Sequence, residues 1–164
     1  MKSLKRRRRE NKTDYSKRLK LLESKIPRVV FRKTNKYVVA QYVKSEQTQD
    51  KTEISINSKH LIKYGWPKEF QGSLKSIPAS YLTGFLFGKK IKKKTIEVPI
   101  VDLGMVRVLH KTRIFAFLKG LVDSGIEIKY KKDVFPDEEK IQGKNMKQDF
   151  SKIFNEIKSK IEKE

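Results

Sequence analysis

Fifteen of the first 36 residues are Lys or Arg, against three acids, so the front of this 164-residue chain carries a net charge of +12. The run Lys5-Arg6-Arg7-Arg8-Arg9 has almost nothing apolar to bury, and is expected to lack structure of its own and to order only against an anion. The whole chain stands at +21, with 40 Lys+Arg and 19 Asp+Glu. That much like charge repels itself and asks for a polyanionic partner: nucleic acid, an anionic membrane or an acidic protein. A hydrophobic share of 37% still supports one modest core.

Composition also excludes. Without a single Cys there is no disulfide framework, zinc ribbon or thiol nucleophile. The apolar runs are short and the basic start has no apolar stretch behind it, so neither a membrane span nor a secretory signal is expected. The basic helix read at 14–24 has only leucines and one tyrosine on its apolar side, without the second anchor that a membrane-surface helix needs. A cytoplasmic partner of nucleic acid, with no membrane and no small-molecule substrate, is the expectation.

Periodicity sketches the rest. Thr13-Asp14 cap a helix with Tyr15, Leu19 and Leu22 on one face and Lys17, Arg18 and Lys20 opposite. Arg28 to Arg32 reads as a strand with Val29 and Phe31 on one face and Arg28, Val30 and Arg32 on the other. Asn35-Lys36 turns the chain into a second strand, Tyr37 to Val43; a polar loop over Gln47 to Lys51 leads to a third, Thr52 to Asn57. These three predict an antiparallel meander.

Ser58 to Tyr64 then reads as a short helix stopped by Gly65, with a loop from Trp66 to about Ser76. Pro78 opens a strong helix that ends in the basic cluster Lys89 to Lys94, where cations also suit the helix dipole. Ile96 to Leu103 predicts a strand, Lys111-Thr112 precede a helix stopped at Ser124-Gly125, and Ile126 to Ile128 predicts a short edge strand. Residues 137–164 are neutral, with seven acids and seven Lys+Arg. There Phe150, Ile153, Phe154, Ile157 and Ile161 mark an amphipathic helix that must bury its stripe on the body or on a partner. The expected fold class is mixed α/β: an antiparallel-led mixed sheet packed with helices. It divides into a flexible basic arm (1–13), an α/β domain (14–136) and a C-terminal helical extension (137–164).

Two features carry binding chemistry. Arg suits phosphate because its planar fork bonds two oxygens at once. The hairpin from Arg28 through Arg32, Lys33, Thr34, Asn35 and Lys36 to Tyr37 and Tyr42 adds amides, hydroxyls and rings, the mixture RNA recognition uses, although any one Tyr could equally pack on the core. Catalytic signals are poor. His60 and His110 lie far apart with no accompanying motif and read as surface or packing residues. Asp102, at a strand end before Gly104, is the best enzymatic suspect. A metal-dependent nuclease using it would need several converging carboxylates, and few lie nearby in sequence. The bland alternative is an Asp102 that accepts hydrogen bonds from backbone or a basic neighbour. No Gly-rich phosphate loop occurs and no cofactor is expected.

Several blocks in order resemble a known family. Arg6-Arg7-Arg8-Arg9-Glu10-Asn11-Lys12-Thr13-Asp14-Tyr15 through Leu22, and Pro27-Arg28-Val29-Val30 with Arg32 to Lys36, are similar to the opening of the archaeal form of the large-subunit ribosomal protein family "L-eighteen". Lys63-Tyr64-Gly65-Trp66 is similar to the archaeal and eukaryotic branch of that family, and Pro78 to Gly84, Val101-Asp102-Leu103-Gly104, and Arg113-Ile114-Phe115-Ala116 through Asp123-Ser124-Gly125-Ile126 resemble it further on. The resemblance spans about residues 5–145 and implies a structural RNA-binding protein of the ribosome, not an enzyme. It implies 5S ribosomal RNA as partner, a place in the central protuberance, and as neighbours the large-subunit ribosomal RNA and proteins including the "L-five" family. Carried over by position, it implies RNA contacts from Arg6, Arg7, Arg8, Arg9, Lys12, Tyr15, Arg18, Arg28, Arg32, Lys33, Asn35 and Lys36, with Lys111 and Arg113 as further candidates.

Overall fold

The computed structural model describes residues 3–46, 49–94, 97–146 and 149–163. In chain order these form α1 (Arg6–Arg9), α2 (Tyr15–Glu23), β1 (Arg28–Lys33), β2 (Val38–Glu46), β3 (Gln49–Asn57), α3 (Ile77–Lys94), β4 (Ile100–Asp102), α4 (Arg113–Asp123), α5 (Glu138–Gln142) and α6 (Ser151–Glu162). Short 3-10 turns occupy Ser58–Tyr64, Lys68–Ser73 and Lys132–Val134. The strands run β3-β2-β1-β4, antiparallel except for the parallel β1–β4 pair, so the sheet is mixed and β1 lies inside it. The expected meander and the expected mixed α/β class are both present. No described helix is long and apolar enough to cross a membrane.

Helix α3 is the centre of the fold, buried from Pro78 to Gly88 and again at Ile91. A helix buried nearly all round needs partners on every side. It has β2 and β3, α4 along its length, α5, α6 and the 58–64 turn. Glycines set how close α3 and α4 come: a side chain on Gly84 would collide with the Phe117 carbonyl, and one on Gly120 with the Tyr81 carbonyl. Phe31 joins sheet to helix, with its ring 4.8 Å from Phe117. Helix α6 buries Phe154, Ile157 and Ile161, with Phe150 before it, in the same core; the Phe150 ring lies 4.8 Å from Trp66 and Phe154 5.5 Å from Tyr81. Its stripe is therefore covered by the body.

Several sequence expectations need correction. In the polar loop expected over Gln47 to Lys51, the described residues Gln49 to Lys51 are strand, because Lys44↔Lys51, Ser45↔Asp50 and Glu46↔Gln49 pair; Gln47 and Thr48 lie outside the described residues. The strand expected over Ile96 to Leu103 contracts to Ile100–Asp102, with Ile96 outside the described residues. Pro99 has no N–H to give to a ladder, and Glu97 turns instead to Lys44 at 3.2 Å. No strand forms over Ile126 to Ile128: the Ile126 N–H is already spent on the Leu121 carbonyl at the end of α4. The loop after Trp66 holds the 68–73 turn, with the indole N–H donating to the Phe70 carbonyl.

Candidate nucleic-acid interface

Helix α2 begins where the sequence places it. The Asp14 carboxylate accepts from the N–H groups of Ser16 and Lys17, capping the helix. The Lys17 N–H bond, followed by the guanidinium of Arg8 and the Ser16 N–H, outweighs desolvation and holds the Asp14 carboxyl below its usual range. Its faces differ from expectation. The half-buried positions are Tyr15, Arg18, Leu21 and Leu22, a spacing of three, three and one that makes a single helical stripe, whereas Leu19 is 58% exposed. Arg18 therefore faces the body instead of sharing the solvent side with Lys17 and Lys20. The reason is electrostatic: its Nη2 donates to Asp50 Oδ2 at 2.8 Å.

The arm, expected to lack structure, makes one helical turn at Arg6–Arg9 with no buried residue. Surface contacts to near neighbours hold it: Arg8 to Asp14 at 2.8 Å, Arg6 to Glu10 at 3.3 Å, and Arg7 Nε to the Thr13 hydroxyl at 3.0 Å. Lys5 lies over the Tyr15 ring. Exposed pairs of this kind contribute little to stability, so a polyphosphate can displace them.

Behind the arm, a network of charges crosses the sheet. Arg28 is only 2% exposed; one amino group donates to Asp50 (2.7 Å) and the Ser45 hydroxyl (2.9 Å), and the other lies 3.6 Å from Asp102. Arg32 reaches the Asp102 carboxylate at 3.3 Å and the Asp102 and Phe31 carbonyls. Asp102 also accepts the Gly104 N–H at 2.8 Å. The bland expectation for Asp102 is thus the one the geometry shows. The nuclease alternative loses its metal-facing carboxylate to these partners, and among the described residues no group of three or more His, Cys, Asp or Glu could hold a metal.

Arm, α2 and the ends of β1 and β4 enclose a cleft of about 110 Å³. Arg7, Lys12, Lys17, Arg18 and Arg32 line it, against Asp14 and Asp102. Arg6, Arg8 and Arg9 are exposed beside it. The hairpin tip presents Lys33, Asn35 and Lys36 to solvent, its turn closed by Thr34–Tyr37 hydrogen bonds. Of the hairpin tyrosines, Tyr42 is buried in the core and Tyr37 is half-buried under Lys59. Lys111 pairs with Asp137 at 3.3 Å, and burdened by two lysines, Lys140 and Lys111, the Asp137 carboxyl titrates below its usual range.

Arg113 opens α4 and lines a second cleft, about 580 Å³, with Lys33, Arg107 and Lys111. Lys17 and Arg107 extend the cationic surface beyond the residues expected from sequence. Arg107 stands alone in a loop of mixed character, Gly104 to His110, and only its nearness to Lys33 in space marks it. The histidines do ordinary work: His60 Nδ1 accepts the Asn57 N–H in a capping box, and His110 sits edge-on to Phe115.

Comparison with known proteins gives this surface its context. Residues 1–98 match the family model described as "Ribosomal large subunit proteins 60S L5, and 50S L18". The protein named large ribosomal subunit protein uL18 of Methanoregula boonei is 43% identical over 141 residues, 86% of this chain and 79% of that one. Its namesake in Korarchaeum cryptofilum is 43% identical over 86% of this chain and 70% of its own length, and that of Methanoculleus marisnigri 44% over 84% and 77%. These relatives are archaeal, as the sequence blocks lead one to expect, and they carry the name of a ribosomal protein, not of an enzyme. The chain belongs to the uL18 family of large-subunit ribosomal proteins, and is a structural constituent of the large ribosomal subunit.

Proposed function

We propose that the chain binds 5S ribosomal RNA and helps to anchor it in the central protuberance, beside large-subunit ribosomal RNA and a neighbour of the "L-five" family. The observation that supports this most is the cleft in which Arg7, Lys12, Lys17, Arg18 and Arg32 converge from three separate elements. Scattered surface lysines would suit any polyanion, but cations held at fixed positions suit a folded one. The exposed arm (Arg6 to Arg9) captures phosphate first. Tyr15, Arg18, Arg32 and the hairpin tip (Lys33, Asn35, Lys36) then seat the RNA, with Lys111 and Arg113 in the second cleft beside Lys33. Arg28 contributes indirectly: its buried guanidinium is committed to Asp50 and Asp102, and it fixes the strands that carry the others.

Filter binding to 5S RNA across a salt series tests the reading. Neutralising about six phosphates gives a log–log slope near −4 to −5. A flat salt response, or equal affinity for unrelated duplex RNA and DNA, would overturn it.

A further inference from the structure

We propose that Asp50 is a positioning residue for RNA binding: its carboxylate hooks the basic helix α2 onto the sheet, so that removing this negative charge weakens binding to RNA. The inference rests on the proposed binding reading and adds to it a residue whose sign of charge argues the other way.

The two oxygens of Asp50 do different work. Oδ1 accepts from the Ser45 hydroxyl and from Arg28 Nη2, both at 2.7 Å, which ties it to the sheet. Oδ2 accepts Arg18 Nη2 at 2.8 Å, which ties it to the helix. Arg28 in turn meets Asp102, and Asp102 meets Arg32, so alternating charges run from α2 through β3, β1 and β4 to the other wall of the cleft. Burial pushes the Asp50 carboxyl up, but Ser45, Arg28 and Arg18 more than offset this and keep it in its charged form.

Helix α2 has little else to hold it. None of its residues is buried, Leu21 and Leu22 are only half-buried, and Leu19 points to solvent. Without an apolar anchor, the direction of the helix depends on its charged contacts. Asp50 is placed to supply one, because its own geometry is fixed by a buried arginine. An asparagine there has one oxygen and one NH2 group. The oxygen is needed by the buried Arg28, since leaving that guanidinium unpaired is costly. The NH2 group then faces Arg18, donor against donor, and the hook is lost.

The two accounts of Asp50 predict opposite signs. If it is only an acid near a phosphate site, Asp50→Asn raises local positive potential and tightens binding. If it is the hook, Asp50→Asn loosens binding to 5S RNA by about five- to tenfold and makes the salt slope shallower by about one, as Arg18 is no longer delivered. Asp50→Glu, which keeps the charge, retains most of the affinity. Hydrogen exchange on the RNA-free full-length chain reads the hook directly: amides 18–23 exchange faster in Asp50→Asn while those of β1 and β2 keep wild-type protection. Tighter or unchanged binding with an unchanged slope overturns the proposal, as does unchanged exchange in α2. Should Asp50→Asn melt well below wild type, Arg18→Met leaves the Arg28–Asp50 pair in place and must show the same loss of protection in α2; if it does not, the hook is disproved. A wild-type chain that ignores 5S RNA would sink the binding reading alone, since the exchange measurement still reports on the hook.

Discussion

Helices α2 and α6, of nine and twelve residues, were both legible from apolar residues at three- and four-residue spacing, yet different forces hold them. In α6 the periodic residues are the buried ones: Phe154, Ile157 and Ile161 enter the same core as Trp66 and Tyr81. In α2 the inward stripe carries an arginine at its middle, and no residue is buried. Each fully buried apolar side chain of α6 contributes about 1.5–3 kcal/mol, whereas an exposed pair such as Arg18–Asp50 contributes about 0–1 kcal/mol. The difference matches their tasks. A helix that completes the core must stay, and a helix that meets a polyanion gains from having its cations only lightly engaged beforehand.

The sharpest way to break this contrast is to cut the C-terminal anchor. Phe150 is fully buried against Trp66 and Phe70, so Phe150→Ala is expected to cost about 3–5 kcal/mol in urea unfolding. A loss below about 1 kcal/mol would mean that α6 is as lightly held as α2. Next comes the charge network under the N-terminal half. Arg28→Met leaves Asp50 and the mostly buried Asp102 without their shared cation, and is expected to cost about 3 kcal/mol. Destabilisation below that of an ordinary surface substitution would show that the sheet does not depend on the network.

What the sequence revealed follows the same division. Apolar burial is written locally, so α3, α4 and α6, the meander strands and the stop at Gly65 could all be read from spacing and turn residues. Ion pairs between distant segments are not written locally. Arg28 alternates onto what reads as a polar strand face, and nothing in its neighbourhood announces that Asp50 and Asp102 close over it. Asp50 itself lay in what read as a polar loop. The same blindness turned Arg18 outward, because a helical wheel of α2 cannot include an acid 32 positions away. Excess cationic charge at the front of the chain was plain. Its convergence on one cleft, with Lys17 and Arg107 added, required the fold.

The smallest expected effect separates the two helices by pH. Asp14 and Asp50 both titrate below the ordinary carboxylate range, Asp14 through the Lys17 N–H, and Asp50 because, although burial raises it, Ser45, Arg28 and Arg18 lower it further. A carboxyl with a lowered folded pKa stabilises fully above its unfolded pKa, and the contribution disappears as pH falls through the folded value. As pH falls below the ordinary carboxylate range and through these lowered values, then, α2 loses its cap and its hook. Helix α6 also has an acid-sensitive contact, because Asp149 is likewise lowered, by the Ser151 hydroxyl and N–H. Its apolar stripe has no proton to gain. Hydrogen exchange followed as pH is lowered through and below the ordinary carboxylate range should therefore show α2 amides losing protection ahead of α6 amides, after correction for the intrinsic pH dependence of exchange. Loss of both helices at the same pH would show that carboxylates, and not the buried stripe, hold α6 in place.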